Sequence, residues 1–374
     1  MICLTCQSPT NSSDPHCRTC GASLTAAPAI APSSEDLAAG TLLGKHYRIL
    51  ERLGRGGFGI TYRGFDALTK NYVAIKELFP DGAVTRHSSG WVVPSDRNEF
   101  ERLLLRMEFE AKTLQLLRHK SATRAIDFIE ANGTGYLVME FMGGETLEAR
   151  IESGKKLLNI EAREILFVIL SVLEELHGLA LLHRDIKPAN IMLNTEGQGG
   201  QRVELIDFGS LVKYRAGERA RFERMLTPMY APLEQYGENV ELAPATDFYA
   251  LGATLYHALT LRPPPSALER AKGAVLTPIR DLEPAIDAGL ARFVMASLEM
   301  RLDDRPQNVS NARKILTHVK VQLDKFLNVG ANLAPSQAIR VDPAEKLMMN
   351  VLGIFISVFL LVVFGSIILV SFSR

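Results

Sequence analysis

The chain has 374 residues, enough for about two domains. Its 42 basic and 42 acidic residues cancel, which argues against a general electrostatic attraction to nucleic acid or to anionic lipid. Apolar residues make up 47% of the chain, an ordinary globular proportion with a local excess near the carboxyl end.

The amino-terminal segment is marked by its cysteines. All four fall in the first 20 residues, as two C-x-x-C pairs: Cys3 with Cys6, and Cys17 with Cys20. Two such pairs can present four thiolates tetrahedrally to one Zn²⁺, and residues 1–24 are too few to fold on a core of their own. We therefore expect a structural zinc ribbon over residues 1–24, with two disulfides or free thiols as the alternatives. Residues 1–40 carry a single cation, so the ribbon is not expected to bind nucleic acid.

The nature of the remaining segments is predicted from their residue composition and apolar periodicity. Residues 25–42 are rich in Ala, Pro and Ser without apolar periodicity, which predicts a flexible linker. Residues 43–327 mix short β-branched runs with dense helical periodicity, most clearly at 162–179, which indicates an α+β domain. A second linker, 328–346, leads into the uncharged apolar run 347–372. At about 1.5 Å per residue this run exceeds a hydrocarbon core of about 30 Å, so it predicts one transmembrane helix, with a buried helix as the alternative.

Four motifs stand in a fixed order within the central domain. They are the G-x-G-x-x-G run of LGRGGFGITY (53–62), the VAIK ending in Lys76, HRDIKPAN (183–190) and DFG (207–209). Each motif alone is weak evidence for a family, but together they resemble the protein kinase family and its Ser/Thr branch over about residues 47–327. The resemblance implies a bilobal kinase fold with ATP and Mg²⁺ (or Mn²⁺) as cofactors. It also implies serine and threonine hydroxyls of proteins as acceptors.

The same resemblance implies a nucleotide site. Lys76 would hold the α- and β-phosphates, braced by Glu110 on the next helix, with Glu108 as the alternative brace. Glycines let the backbone approach the phosphates without obstruction. The implied nucleotide-binding residues are Leu53, Gly54, Arg55, Gly56, Gly57, Phe58, Gly59, Thr61, Ala74, Lys76, Met139, Glu140, Met142, Asn190 and Asp207.

The catalytic roles also come from the resemblance. Asp185 would accept or orient the proton of the substrate hydroxyl, and Lys187 would stabilise the transferring phosphoryl charge. Asn190 and Asp207 would hold magnesium against the phosphates. Within the activation segment, Thr227 is expected to hydrogen-bond Asp185 and Lys187.

Three further expectations concern the scaffold. Glu234 should pair with a buried Arg305, although the usual Ala-Pro-Glu reads Pro-Leu-Glu here, and Asp247 should tie down the catalytic loop. Glu223 stands where relatives carry a phosphorylated residue. It could pair with Arg184 in place of a phosphate or be solvated.

The stretch between Lys76 and the next helix is long, and we expect an extra hairpin there. It carries the only tryptophan, Trp91, in one of two roles: filling the core or forming a docking surface.

The leading hypothesis is a membrane-tethered bacterial Ser/Thr kinase. Its kinase domain would lie in the cytoplasm on a single-pass helix in the inner membrane, with an opposing phosphatase as a further partner. The alternative is a pseudokinase scaffold that binds partners without catalysis. Lys76, Asp185, Asn190 and Asp207 are all present, which favours the enzyme.

Overall fold

The computed structural model describes residues 35–194, 202–221 and 226–316, which belong to one compact unit. The four cysteines, Glu223, the linker 328–346 and the predicted span 347–372 lie outside these residues. Within the three described ranges, no helix is both long enough and apolar enough to cross a membrane.

The amino-terminal lobe is an antiparallel sheet with one long helix against it. Its elements are β1 (Leu42–Leu43), β2 (Tyr47–Gly56), β3 (Gly59–Asp66), β4 (Asn71–Leu78), β5 (Val84–Arg86), β6 (Val92–Pro94), α1 (Arg97–Leu116), β7 (Ala125–Ala131) and β8 (Thr134–Glu140). The main sheet has the order β1-β2-β3-β4-β8-β7, with every neighbouring pair antiparallel.

Local sequence explains two features of this lobe. β7 is joined to β8 by a two-residue turn, Asn132 and Gly133, with φ angles of 52° and 74°. Positive φ angles at both positions give a turn whose twist matches the right-handed twist of the two strands. α1 begins after Asp96, whose carboxylate accepts hydrogen bonds from the backbone N–H groups of Asn98 and Glu99 at 2.9 and 3.0 Å. The cap fixes where α1 starts, and with it the direction in which its inner face points.

The predicted extra hairpin is confirmed as the antiparallel pair β5–β6. Val92 is only 1% exposed and joins the core, whereas Trp91 is 56% exposed and lies against Gly133. The core-filling interpretation therefore holds for Val92 and is wrong for Trp91.

The carboxyl-terminal lobe is mainly helical. Its elements are β9 (Glu145–Thr146), α2 (Leu147–Glu152), α3 (Asn159–Gly178), β10 (Leu181–Leu182), β11 (Ile191–Asn194), β12 (Arg202–Leu205), β13 (Val212–Lys213), β14 (Arg219–Arg221), β15 (Asn239–Glu241), α4 (Pro244–Thr260), α5 (Ala267–Ala271), α6 (Ile279–Leu282) and α7 (Ala288–Ser297). The lobe also holds small antiparallel sheets with the strand orders β12-β11-β9, β10-β13 and β14-β15.

Helices α3 and α4 form the centre of this lobe. α3 covers the periodic stretch that the sequence marked at 162–179, and α4 buries nearly all of its side chains. Gly252 lets α4 approach α7, since a Cβ there would lie 2.7 Å from that of Ser297. α4 also carries Asp247, whose carboxylate accepts hydrogen bonds from the backbone of the catalytic loop.

The folded domain begins upstream of the predicted boundary at Leu43. Leu37 is 8% exposed within the hydrophobic core, and its N–H donates to the Tyr62 hydroxyl at 3.1 Å. Asp36 pairs with Arg52 at 3.0 Å. The prediction of a flexible linker over 25–42 is therefore wrong for its described residues, 35–42. Composition could not show that acidic residues there meet arginines of β2.

Candidate active site

The cleft between the lobes holds a cavity of about 390 Å³. It is bounded by the β2–β3 turn above, α1 behind and the catalytic loop below. The predicted site residues that line it are Gly56, Gly57, Phe58, Gly59, Thr61, Lys76, Glu110, Asp185, Lys187 and Asp207. Residues far apart in sequence thus converge on one cavity.

The glycine-rich turn forms the roof. Gly56 of β2 pairs with Gly59 of β3, leaving Gly57 and Phe58 at the tip. A Cβ on Gly59 would lie 2.2 Å from the carbonyl oxygen of Glu77, so only glycine allows this close contact with β4. By contrast, a Cβ on Gly56 or Gly57 would meet open space.

Lys76 extends from β4 into the cavity between two carboxylates. Its Nζ lies 2.6 Å from Asp207 Oδ1 and 3.3 Å from both oxygens of Glu110. Glu108 pairs instead with Lys112 on the surface of α1, so Glu110 is the partner. Burial alone would lower the pKa of the Lys76 ammonium, but Asp207 and Glu110 outweigh it and raise that pKa. Lys76 is therefore cationic at any physiological pH.

The two carboxylates differ in environment. Burial raises the pKa of Glu110, and the charge of Lys76 offsets this only in part. Burial opposes ionisation of Asp207 as well, yet Lys76 holds the pKa of Asp207 well below its usual range. The Asp207 side chain is 42% exposed and faces the cavity, while Phe208 is buried and donates its N–H to Glu110 at 3.1 Å. Asp207 is thus the ionised group available to a cation.

The catalytic loop presents a compact hydrogen-bond network. Asp185 Oδ2 accepts from Lys187 Nζ at 2.8 Å, and its Oδ1 accepts from the Thr227 hydroxyl at 2.8 Å. Lys187 also donates to that hydroxyl oxygen at 3.0 Å, so the expected contacts of Thr227 are confirmed. Asn190 Nδ2 donates to the Asp185 carbonyl oxygen at 2.8 Å and to Asp185 Oδ2 at 3.2 Å.

Asp247 holds this loop from below, as expected. Its carboxylate accepts from the backbone N–H groups of Arg184 and His183 at 2.7 and 3.0 Å, and from His177 Nε2 at 2.9 Å. Arg184 adopts a φ of 69°, an uncommon conformation for a residue with a side chain, and the Asp247 contacts stabilise it. His183 is buried against Phe208 with ring centroids 4.8 Å apart, and burial lowers its pKa.

The expected ion pair between Glu234 and Arg305 is present. The two guanidinium nitrogens of Arg305 lie 2.7 and 3.1 Å from the two carboxylate oxygens. This bidentate pair fixes the end of the activation segment onto the helical lobe.

Five more residues of the implied nucleotide-binding set lie on or just after the strands beside the cavity. Ala74 of β4 is the cross-strand partner of Met139, which is 6% exposed, and the Glu140 N–H donates to the Arg124 carbonyl at 3.0 Å. Leu53 is 39% exposed on β2, and Met142 is partly buried just after β8. Among the described residues, those that line the cavity include the glycine turn and Asp207. The five residues of the implied set named in this paragraph are not part of that lining.

Two arginines make contacts that the sequence analysis did not predict. Arg106, four residues before Glu110 and so on the same face of α1, lines the cavity and donates to the Gly209 carbonyl at 2.8 Å. Arg55 was grouped with the phosphate-binding turn, but its guanidinium pairs with Asp81 and Glu35 instead. The helical spacing could have revealed Arg106, whereas nothing local indicates the partners of Arg55.

A two-lobed α+β fold with a glycine turn, a Lys–Glu pair and an Asp–Lys–Thr network in one cleft defines the protein kinase class. The family model of the protein kinase domain matches residues 47–318, and the chain belongs to this family.

Similar proteins agree with that assignment. A probable serine/threonine-protein kinase of Streptomyces coelicolor is 33% identical over 59% of this chain, and serine/threonine-protein kinase F of Synechocystis is 31% identical over 59%. The chain spans only 31% and 44% of the length of these two relatives. The solved structure described as PpkA-294 in its apo form is 30% identical with a TM-score of 0.65. That match covers 76% of this chain and all of that one.

Proposed function

We propose that this protein is a serine/threonine protein kinase that transfers the γ-phosphoryl group of ATP to hydroxyls of protein substrates. The observation that carries the proposal is the network of Asp185, Lys187 and Thr227 beside Lys76 and Asp207 in one cavity. Relatives named as serine/threonine-protein kinases support the acceptor class.

The residues present fit ATP with magnesium. Lys76, whose side chain is 16% exposed in the cavity, is a cation for the phosphates, and the open space beside Gly56 and Gly57 leaves room for them. Within the described ranges no three His, Cys, Asp or Glu side chains form a metal cage. Mg²⁺ usually takes one or two protein oxygens and completes its shell with phosphates and water. Asp207 and Asn190 would supply those oxygens, and a bound ion would neutralise charge on the phosphates.

The chemistry assigned to the chain is proton acceptance and charge stabilisation. Asp185 accepts the proton of the substrate hydroxyl as that oxygen bonds to the γ-phosphorus and the bond from this phosphorus to ADP breaks. Lys187, which contacts Asp185, stabilises the negative charge on the phosphoryl oxygens. Thr227 holds both side chains in place.

A test of the acceptor class uses the whole 374-residue chain, purified in mild detergent, with radiolabelled ATP, Mg²⁺ and a generic basic protein substrate. Label should appear in phosphoserine or phosphothreonine after acid hydrolysis. Label confined to phosphotyrosine would refute the serine/threonine assignment. Nucleotide binding without any transfer would favour the pseudokinase scaffold.

The segments outside the described residues complete the proposal. Cys3, Cys6, Cys17 and Cys20 would bind one structural Zn²⁺, because their spacing suits a tetrahedral thiolate site. Metal analysis should find one zinc per chain, and Cys17→Ser with Cys20→Ser should abolish zinc binding. Retention of zinc by that variant would refute the site.

Residues 347–372 would anchor the chain in the inner membrane of a bacterium, with the kinase domain in the cytoplasm and a phosphatase opposing it.

The activation segment is proposed to order itself without phosphorylation, through Glu223 in place of a phosphate and Arg184 as its partner. The support is the sequence position of Glu223 alone. Phosphate-selective mass spectrometry of active enzyme checks this, and activity found only with a phosphorylated segment would refute it.

A further inference from the structure

A short segment before β1 is fastened to the amino-terminal lobe. We call residues 35–37 the strap. Leu37 is buried in the core, and Asp36 meets Arg52 of β2 through both carboxylate oxygens at 3.0 and 3.1 Å. Their side chains are 2% and 16% exposed, so this ion pair is shielded from water. The strap is therefore part of the folded lobe.

The first residue of the strap reaches the glycine turn. Arg55, between Gly54 and Gly56, pairs with Glu35 at 2.5 Å and with Asp81 at 2.7 Å. The Asp81 N–H in turn donates to the Gly57 carbonyl at 3.0 Å. The roof of the cavity is thus tied through Arg55 and Asp81 to groups outside the cavity.

The opposite side of the strap joins a buried network next to Lys76. Arg86 of β5 donates to the Glu35 carbonyl at 2.6 Å and to the Glu77 carboxylate at 2.7 Å. Glu77, fully buried, also accepts from the hydroxyls of Tyr62 and Tyr136 at 3.0 and 2.9 Å. Because this network fixes the backbone of Glu35, its carboxylate is presented to Arg55 from a rigid base.

We propose that Glu35 and Asp36 are positioning residues for the nucleotide phosphates, acting through Arg55 and Arg52 on the glycine turn. The inference rests on the proposed function, in which that turn covers the phosphates. A turn held in its binding conformation loses less conformational freedom when the phosphates arrive, so its ligand binds more tightly. Arg52 acts just before the turn, next to a register shift between Arg52 and Gly54.

The experiment compares ADP with adenosine. Both are titrated calorimetrically, with Mg²⁺, into the full-length wild type and into the double variant Glu35→Gln/Asp36→Asn, which keeps side-chain shape. We expect ADP to bind roughly tenfold more weakly to the variant while adenosine affinity changes by less than about twofold. Glu283→Gln, which breaks an exposed pair with Lys156, is the matched control and should leave both affinities unchanged.

A second variant tests whether Arg55 carries the effect. In an Arg55→Gln background, Glu35→Gln should produce no further loss of ADP affinity, because the two residues act as one pair. The proposal is overturned if ADP and adenosine weaken equally, which indicates general damage. It is also overturned if ADP affinity is unchanged or rises, since freeing Arg55 would then help the phosphates.

Failure of the proposed function would look different. Wild type that binds ADP but transfers no phosphate would refute the kinase activity, while the comparison of ADP with adenosine would still decide the role of the strap.

Discussion

Replacing Glu234 by glutamine leaves a buried cation without its counter-charge. The Arg305 side chain is 0% exposed, and both terminal nitrogens contact Glu234. Its other hydrogen bonds go to the backbone carbonyls of Glu299, Met300 and Ala245 at 2.7, 3.0 and 3.3 Å. The carbonyls satisfy the N–H donors but do not neutralise the charge, so the carboxylate is the group that matters.

The expected cost follows from that burial. Removing one partner of a buried ion pair destabilises a protein by about 3–5 kcal/mol, and the remaining amide oxygen of the variant favours the lower end. For a domain of this size about 1 kcal/mol corresponds to about 2 °C in Tm, so Glu234→Gln should lower Tm by roughly 6 °C.

Thermal unfolding of the full-length chain, followed by circular dichroism, measures this shift. Glu174→Gln is the control, because its pair with Arg313 is exposed at 54% and 42% and should contribute less than about 1 kcal/mol. Equal Tm shifts for the two variants would refute the argument that burial makes the Glu234 pair strong.

Three further outcomes are expected. Thr227→Val should lower kcat by about 100-fold without changing ADP affinity, since it removes the hydroxyl joining Asp185 to Lys187, and Thr227→Ser should restore transfer. A matching loss of ADP affinity would contradict that role. Glu110→Gln should raise the KM for ATP by about tenfold and Glu108→Gln should not, because only the former residue contacts the lysine of β4. In steady-state kinetics, similar KM values for these two variants would oppose the assignment. Burial lowers the pKa of His183, so below its ordinary pKa of about 6.5 the unfolded chain binds more protons. As the pH falls, the free energy of unfolding should then decrease by up to about 1.4 kcal/mol per pH unit. His183→Asn should flatten this slope in urea titrations between about pH 6.5 and 5.5. An unchanged slope would count against His183 as the titrating group.

Much of the site was predictable because most of its functional residues lie within short sequence motifs. The resemblance to protein kinases implies that Glu110 braces Lys76, and the structure brings the two side chains to 3.3 Å. The resemblance likewise implies the contact between Thr227 and Asp185, whose side chains lie 2.8 Å apart in the structure.

Other features depended on pairings that no local pattern records. The exposed position of Trp91 is set by the backbone of the β7–β8 turn, where Gly133 leaves space for the ring. The attachment of Asp36 to Arg52 joins two polar residues that are unremarkable in sequence. Composition predicts solvation for such residues, and tertiary contacts override it.

The most direct test of the central claim is phosphoryl transfer by Asp185→Asn beside the wild type, at saturating ATP and Mg²⁺, with ADP affinity measured on the same samples. We predict at least about a 100-fold loss of transfer by the variant with ADP affinity retained, because Asp185 serves the acceptor hydroxyl and not the nucleotide. Equal transfer by the two proteins would contradict the account.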